Sequence, residues 1–299
     1  MSVMSNSMLV VFKITVGLFS GAVSILSEAI HSGVDLVAAL IAFFAVRASG
    51  KPADEEHTYG HGKFENLSAA IEGLLIFFAA GWIIYKAINK LIFPEPVDNI
   101  QWGILVMGVS AATNLVISRQ LFKVGKETDS AALMADGWHL RTDVWTSAGV
   151  ALGLAFYMIG RWYFPGLNLE WIDPVIAIGV AVLILRAAWE LTSEAVTYLL
   201  DASLPEEEEK AITLIINKLN PQVLNFHNFK TRKAGSERFV EFHLVVNKDL
   251  TVKQAHDICD DITVKIKMQF PKTEVMIHTE PCLDECGGIC RGTCAIFEA

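Results

Sequence analysis

Long apolar runs fill the first two thirds of the chain, and a more polar pattern follows them. A helix that crosses a bilayer needs about 20 mainly apolar residues. The runs are one short segment and five longer ones: Met8–Leu18, Ser24–Ala48, Leu67–Phe93, Trp102–Phe122, Ala131–Trp162 and Trp171–Leu200. This pattern predicts a polytopic α-helical membrane protein with six transmembrane helices, the first of which is short because it is truncated or begins late in this chain.

The remainder of the chain shows the shorter periods of a water-soluble domain. Apolar residues recur at helical spacing in two segments and alternate with polar residues in three others. The predicted elements are a helix from Pro205, strands at Val223–Thr231 and Arg238–Val246, a helix at Thr251–Phe270 and a strand at Glu274–Thr279. Their order, α-β-β-α-β, is typical of a small two-layer α+β domain.

The sequence therefore predicts a transmembrane domain at residues 1–200, a cytoplasmic domain at 201–282 and a cysteine-rich tail at 283–299. Composition agrees, because 53% of the residues are hydrophobic and only 19% are charged, against roughly 25% charged in soluble domains. The net charge of −9 argues against nucleic acid as a partner, since phosphate binding needs a basic surface. Lysines and arginines in the loops after the second and fourth runs predict that both termini are cytoplasmic.

Two apolar runs carry the same pair, a histidine followed four residues later by an aspartate. The second run contains His31 and Asp35, and the fifth contains His139 and Asp143. Residues four apart share a helix face, and ionisable residues within a membrane are costly, so each pair is a candidate functional site. Two imidazoles and two carboxylates suit tetrahedral Zn²⁺. The alternative is two polar pairs that hold helices together, and their repetition favours the metal site.

The loop after the second run contains Asp54, His57 and His61. Two histidines and an aspartate at this spacing can bind one metal ion, and a solvated polar loop is an equal alternative.

The predicted soluble domain holds four histidines, His227, His243, His256 and His278, followed by Glu280. Together these residues form a candidate metal cluster. The alternative for each histidine alone is an ordinary core or surface position.

The tail contains four cysteines at a spacing of four, Cys282, Cys286, Cys290 and Cys294. In a reducing cytoplasm, such a row is a possible thiol metal site or a redox-active group rather than a set of structural disulfides.

These motifs together resemble the cation diffusion facilitators, a family of metal/proton antiporters. The resemblance covers nearly the whole chain up to Cys282. It rests on the segment from Ser24 to Asp35, the loop from Asp54 to Gly62, the pair His139-x-x-x-Asp143 and the sequence His278-Thr279-Glu280-Pro281. It implies six spans before a ferredoxin-like cytoplasmic domain, a homodimer in the lipid bilayer of the bacterial inner membrane, and exchange of Zn²⁺ for H⁺.

The resemblance also implies roles for individual residues. The transport site maps onto His31, Asp35, His139 and Asp143, and the loop site onto Asp54, His57 and His61. A binuclear cytoplasmic site maps onto His227, His243, His256, His278 and Glu280, with Zn²⁺ as a regulatory ligand. Lys63 and Asp201 match a charge interlock that holds the dimer. His31 replaces the aspartate of bacterial members, as in the animal zinc transporters of the family, and this favours Zn²⁺ over Cd²⁺ or Fe²⁺.

Three other functions compete with zinc export. The first is efflux of Fe²⁺, Cd²⁺ or Mn²⁺ by the same family, and two histidines disfavour Mn²⁺. The second is a membrane zinc sensor or store that binds the ion without transport. The third is an intramembrane enzyme, which the absence of H-E-x-x-H, G-x-S-x-G and P-loop motifs argues against.

Overall fold

The computed structural model describes residues 2–20, 23–93, 100–163, 171–218 and 223–282. The chain divides into two compact units, Met1–Val196 and Thr197–Ala299. The predicted tail at 283–299 lies outside the described residues.

The first unit is built from helices. They are α1 (Ser2–Ser20), α2 (Val23–Ser49), α3 (Lys63–Ile92), α4 (Ile100–Thr128), α5 (Ala131–Tyr163) and α6 (Ile172–Leu199), the last of which continues into the second unit. Within the described residues, α3 is the one helix that length and composition mark as able to cross a membrane. The number of six spans therefore stays a prediction.

Several helices are longer than the apolar runs that predict them. The helix α4 continues past Phe122 through Lys123 and Lys126. Backbone hydrogen bonds hold a helix together whether its side chains are apolar or charged, so the end of an apolar run does not mark the end of the helix.

A close crossing of α3 and α6 depends on one glycine. A Cβ atom added to Gly73 would overlap the Thr192 hydroxyl and would lie 3.2 Å from the Thr192 backbone nitrogen. Small residues let helix backbones approach in this way, and such contacts are typical of helix packing in membranes.

The second unit has the predicted order α-β-β-α-β. Its elements are α7 (Glu206–Asn217), β1 (Val223–Ala234), β2 (Glu237–Val246), α8 (Val252–Gln269) and β3 (Thr273–Pro281). The strands form a mixed sheet in the order β1-β2-β3. β1 pairs antiparallel with β2 across a turn where Gly235 has a φ of 59°. β3 follows α8 and pairs in parallel with β2, and α8 supplies the crossover connection that a parallel pair needs.

One apolar core joins the helices and the sheet of this unit. The isoleucines predicted at helical spacing on α8, Ile258, Ile262 and Ile266, are all buried. They share a cluster with Ile212 and Ile216 of α7 and with the inward side chains of β2, which are Val240, Phe242, Leu244 and Val246. This core orders the sheet whose other face carries the histidines described below.

An ion pair ties α7 to β2. Arg238 Nε donates to Glu208 Oε2 over 2.8 Å, and Arg238 Nη2 donates to Glu208 Oε1 over 2.9 Å. These hydrogen bonds from Arg238 hold the pKa of Glu208 below its usual 4.5, although partial burial opposes the shift. The carboxylate is therefore favoured in the folded protein over the unfolded chain.

We expect Glu208→Ala to lower the opening free energy of α7 and β2 by about 1 kcal/mol at neutral pH. Because the folded pKa is depressed, the stabilisation is present above the unfolded pKa and is lost as the pH falls through the folded value. Amide hydrogen exchange in the full chain at about pH 7 and about pH 4 tests this sign. Glu207→Ala, in the same helical turn but exposed, is the control, and a Glu208 effect that is equal at both pH values contradicts the prediction.

Candidate metal centres

Three buried ligand groups converge inside the helical unit. Asp35 lies on α2, and His139 and Asp143 lie on α5; one ligand atom of each is within 4.8 Å of the other two. His139 Nε2 is 3.3 Å from Asp35 Oδ1 and 4.0 Å from Asp143 Oδ2. The exposed fractions of Asp35, His139 and Asp143 are 5%, 5% and 8%. The packing of α2 and α5 thus brings Asp35, from the first predicted pair, next to both members of the second pair, His139 and Asp143.

His31 lies on α2, four residues before Asp35. Helical spacing places the two residues on one face. The side chain of His31 is outside the described part of the structure, so its role as a fourth ligand stays a prediction.

Polar contacts hold the backbone around this cluster. Asn6 Nδ2 on α1 donates to the Asp35 carbonyl oxygen over 3.2 Å. The Thr142 hydroxyl donates to the His139 carbonyl oxygen over 2.7 Å. Asn6 is buried, and no motif in the sequence distinguishes it from other polar residues near the start of α1.

Glu72 of α3 adds a further acid near this cluster. It is fully buried, and its carboxyl group interacts electrostatically with His139 and Asp136. Ser68 donates to Glu72 Oε1 over 3.3 Å. Among the described residues, neither Glu72 Oε2 nor His139 Nδ1 has a hydrogen-bond partner. The sequence signal for Glu72 is an acid within a long apolar run.

This arrangement is suited chemically to a divalent cation. Burying carboxylates without a compensating charge is costly, and a cation placed between Asp35, His139 and Asp143 offsets that cost. A mixed set of imidazole and carboxylate ligands is typical of Zn²⁺ and other transition metals rather than of Ca²⁺ or Mg²⁺.

The loop before α3 also brings its three predicted ligands together. Asp54, His57 and His61 each offer an atom within 4.8 Å of the other two. Asp54 Oδ1 is 3.4 Å from His57 Nδ1, and Asp54 Oδ2 is 3.3 Å from His61 Nε2. His61 is buried, whereas Asp54 and His57 are exposed. The cluster is therefore open to solvent on one side.

Backbone donors keep the Asp54 carboxylate ionised. The N–H groups of His57 and Glu56 donate to Asp54 Oδ1 over 2.7 and 3.1 Å. The bond from His57 is the largest cause of a pKa lowered from its usual value, and the nearby His61 lowers it further. The loop consequently presents a negative charge beside two imidazoles, which is the charge pattern that a bound cation requires.

The sheet of the second unit assembles a third cluster by strand register. His227 of β1 is opposite His243 of β2, and His243 is opposite His278 of β3. Glu280, two residues after His278, is on the same face of β3 because side chains alternate along a strand. Glu280 lies 2.8 Å from His243 Nδ1 and 3.4 Å from His227 Nε2. His227, His243 and Glu280 thus form a compact ligand group.

The other two predicted ligands of this cluster, His278 and His256, are outside this compact group. His278 Nε2 is 3.7 Å from Glu280 Oε1, and its ring centroid is 4.8 Å from that of His243. His256 lies on α8, where its Nε2 is 3.4 Å from Asp260 Oδ2 in the next turn. Participation of His256 and His278 in a second ion stays a prediction.

The other predicted residues are placed as follows. Lys63 is the first residue of α3 in the first unit. Asp201, in the second unit, is 3.4 Å from Arg232 Nη1, and an interlock between Lys63 and Asp201 stays a prediction. Cys282 is a buried free thiol. The other three cysteines of the predicted thiol site, Cys286, Cys290 and Cys294, lie outside the described residues.

Comparison with known proteins finds a matching family domain for each of the two units. Residues 1–200 match the cation efflux transmembrane domain, and residues 204–282 match the cytoplasmic domain of cation efflux proteins. The transporter sll1263 of Synechocystis is 38% identical over 265 residues, covering 89% of this chain and 83% of that protein. The cation-efflux pump FieF of Cronobacter sakazakii is 36% identical over 276 residues, covering 92% of this chain and 89% of the pump.

Among solved structures, CzrB in a zinc form is 39% identical, covers 26% of this chain and 90% of that chain, and has a TM-score of 0.25. The family domains extend over nearly the whole chain. The alignments with both relatives, each above 30% identity, cover most of the relative's length. The chain therefore belongs to the cation diffusion facilitator family, whose members are integral membrane proteins that export metal cations.

Proposed function

We propose that this protein exports Zn²⁺ from the cytoplasm in exchange for protons, by alternating access in a homodimer in the bacterial inner membrane. The strongest support is the buried cluster of Asp35, His139 and Asp143 on two helices. With His31, the cluster has two nitrogen and two oxygen ligands, a set that suits tetrahedral Zn²⁺. The six helices of the first unit span the bilayer, and both termini lie in the cytoplasm.

Proton coupling follows because a proton and Zn²⁺ compete for the same atom, His139 Nε2. His139 Nε2 lies 3.3 Å from Asp35 Oδ1, a distance at which a proton on the imidazole hydrogen-bonds to the carboxylate. Imidazole must be neutral to bind a metal, so Zn²⁺ bound at Nε2 displaces that proton. Protons that reach the site from the opposite side displace Zn²⁺ in return, and they then leave toward the cytoplasm.

The other two clusters bind Zn²⁺ as a regulatory ligand. The solvent-exposed side of Asp54 and His57 makes the loop cluster accessible to cytoplasmic Zn²⁺. The cluster of His227, His243 and Glu280 joins three strands of one sheet, so an ion there stiffens the domain through which two chains form the dimer. Their ligand sets are also nitrogen and oxygen, as in the transport site.

Zn²⁺ flux through the full chain in proteoliposomes tests this function. We expect flux when a pH gradient is imposed and loss of flux when an ionophore collapses the gradient. Among competing ions, Mn²⁺ should inhibit least, because imidazole ligands favour later transition metals.

Two results would contradict the proposal. Flux that is indifferent to the pH gradient is inconsistent with proton exchange. Stoichiometric Zn²⁺ binding without any flux indicates the sensor or store instead, provided that liposome insertion is verified by protease protection.

A further inference from the structure

Glu65 is a buried carboxylate that lies between the loop cluster and the helices of the transport site. It is in the first turn of α3, and only 4% of it is exposed. Ser49 Oγ donates to Glu65 Oε1 over 2.7 Å, and Ser130 Oγ donates to Glu65 Oε2 in a short hydrogen bond. Each carboxylate oxygen therefore has a donor from a different part of the helical unit.

The two donors belong to the helices that carry the transport ligands. Ser49 is the last residue of α2, which carries Asp35, and Ser130 immediately precedes α5, which carries His139 and Asp143. The Ser130 hydroxyl also accepts from Leu133 N over 3.4 Å, as the cap of α5. Any displacement of α2 or α5 relative to α3 consequently changes the hydrogen bonding of Glu65.

A single turn of backbone joins Glu65 to the loop cluster. Glu65 N donates to the Gly62 carbonyl oxygen over 3.1 Å, and Phe64 N donates to that of His61 over 3.0 Å. The rings of His61 and Phe64 are stacked, with an interplanar angle of 21°. Because His61 is buried and its ring stacks on Phe64 in this turn, a metal ion that displaces the His61 side chain also displaces the turn that bears Glu65.

The two serine bonds differ in what their loss leaves behind. Ser49 Oγ is also 3.0 Å from the carbonyl oxygen of Val46 in its own helix. Its hydroxyl has one proton and can exchange Glu65 for Val46 without losing a partner. Loss of either bond takes a donor away from the buried Glu65 carboxylate, which is costly. For Ser130 the hydroxyl proton also loses its acceptor, because the other described hydrogen bond of Ser130 Oγ is one that it accepts from Leu133 N. The bond to Ser130 is therefore the stronger restraint, and it acts on the helix with two transport ligands.

We propose that Glu65 is a positioning residue that couples the loop cluster to the transport site. Zn²⁺ bound by Asp54, His57 and His61 fixes the first turn of α3, and Glu65 transmits this position to α5 through Ser130. Occupancy of the loop cluster thereby changes the affinity with which the transport site takes up cytoplasmic Zn²⁺. This inference rests on the proposed transport of Zn²⁺.

A double-mutant cycle in proteoliposomes tests the coupling. Zn²⁺ flux is measured against Zn²⁺ concentration for the wild type, His57→Ala, Ser130→Ala and the double variant. His57 is chosen to disable the loop cluster because it is half-exposed, so its removal leaves no buried cavity. We expect His57→Ala to change the half-saturating concentration about fivefold or more in the wild-type background, and less than about twofold in the Ser130→Ala background.

Three further variants separate coupling from a structural role. Ser130→Thr keeps the hydroxyl and should restore the effect of His57→Ala. Ser130→Gly removes the hydroxyl but remains an acceptable helix cap, and it should behave like Ser130→Ala; retained coupling in this variant overturns the proposal. Glu65→Gln replaces Ser130→Ala if the latter does not fold, and Glu127→Gln, an exposed change at the end of α4, is the control.

The outcomes distinguish the two proposals. Equal effects of His57→Ala in both backgrounds, or no effect in the wild-type background, overturn the role of Glu65 while leaving transport intact. Loss of maximal flux alone, with an unchanged ratio of half-saturating concentrations, indicates that Glu65 only stabilises the fold and also overturns the role. Absence of flux in the wild type contradicts the proposed function itself.

Discussion

Asp143→Asn is expected to abolish Zn²⁺ flux while leaving a folded dimer. The substitution keeps the shape of a side chain that is 8% exposed, but it removes the negative charge of a proposed ligand. Loss of a group that only orients a metal ligand typically costs about 10–100-fold in metal affinity, and loss of a ligand charge should cost at least as much. Flux in proteoliposomes and bound Zn²⁺ per chain are the two measurements, and both should fall.

The control for Asp143→Asn is Glu127→Gln, which removes an equal charge from an exposed position on α4. Size-exclusion chromatography of both variants establishes whether the protein is folded and dimeric. Flux at the wild-type level in Asp143→Asn would show that the transport site lies elsewhere.

Gly73→Val is expected to have the second-largest effect, because α3 and α6 cross at this glycine. Even a methyl group at this position overlaps the Thr192 hydroxyl and approaches the Thr192 Cα atom to 3.3 Å. Overpacking of this kind typically costs about 1–3 kcal/mol, and a branched side chain against backbone belongs at the upper end. The thermal stability of the solubilised full chain and its Zn²⁺ flux should both decrease.

A rescue experiment tests the cause of the Gly73 effect. Gly73→Ala should be milder than Gly73→Val, and adding Thr192→Ala should recover part of the loss because it removes the overlapping hydroxyl. Gly81→Ala, in the same helix but with nothing within 4 Å of the added carbon, should be neutral or slightly stabilising. An equal loss in Gly81→Ala would attribute the effect to α3 itself rather than to its crossing with α6.

Elements with strong periodicity could be predicted from sequence alone. The isoleucines of α8 recur every four residues and all enter the core, and short alternating segments predict the order α-β-β-α-β along the second unit. Boundaries were less accurate, since β1 extends to Ala234 rather than Thr231. The ladder of β1 and β2 continues to the turn, with Ala234 opposite Glu237, and charged residues near a hairpin end hide that continuation.

The candidate sites were predictable where the ligands recur in one helix or loop. His139 and Asp143 lie one turn apart, and Asp54, His57 and His61 fall within one short loop, so local spacing brings each set together. Glu65 gave no such signal, because an acid in the first turn of a helix is ordinary. Its partners Ser49 and Ser130 are 16 and 65 residues away, and only the folded chain brings them together.

The sequence by itself determined which chemically relevant side chains are present: apolar runs interrupted by paired candidate ligands, an α-β-β-α-β segment and several histidines. Those features depend on local period and residue type, which a linear chain displays directly. The tertiary structure decided which ligands meet. Asp35 joins His139 and Asp143 because α2 packs against α5, and His227, His243 and Glu280 join because strand register aligns them. Such convergence depends on contacts between distant segments, and packing rather than local preference sets those contacts.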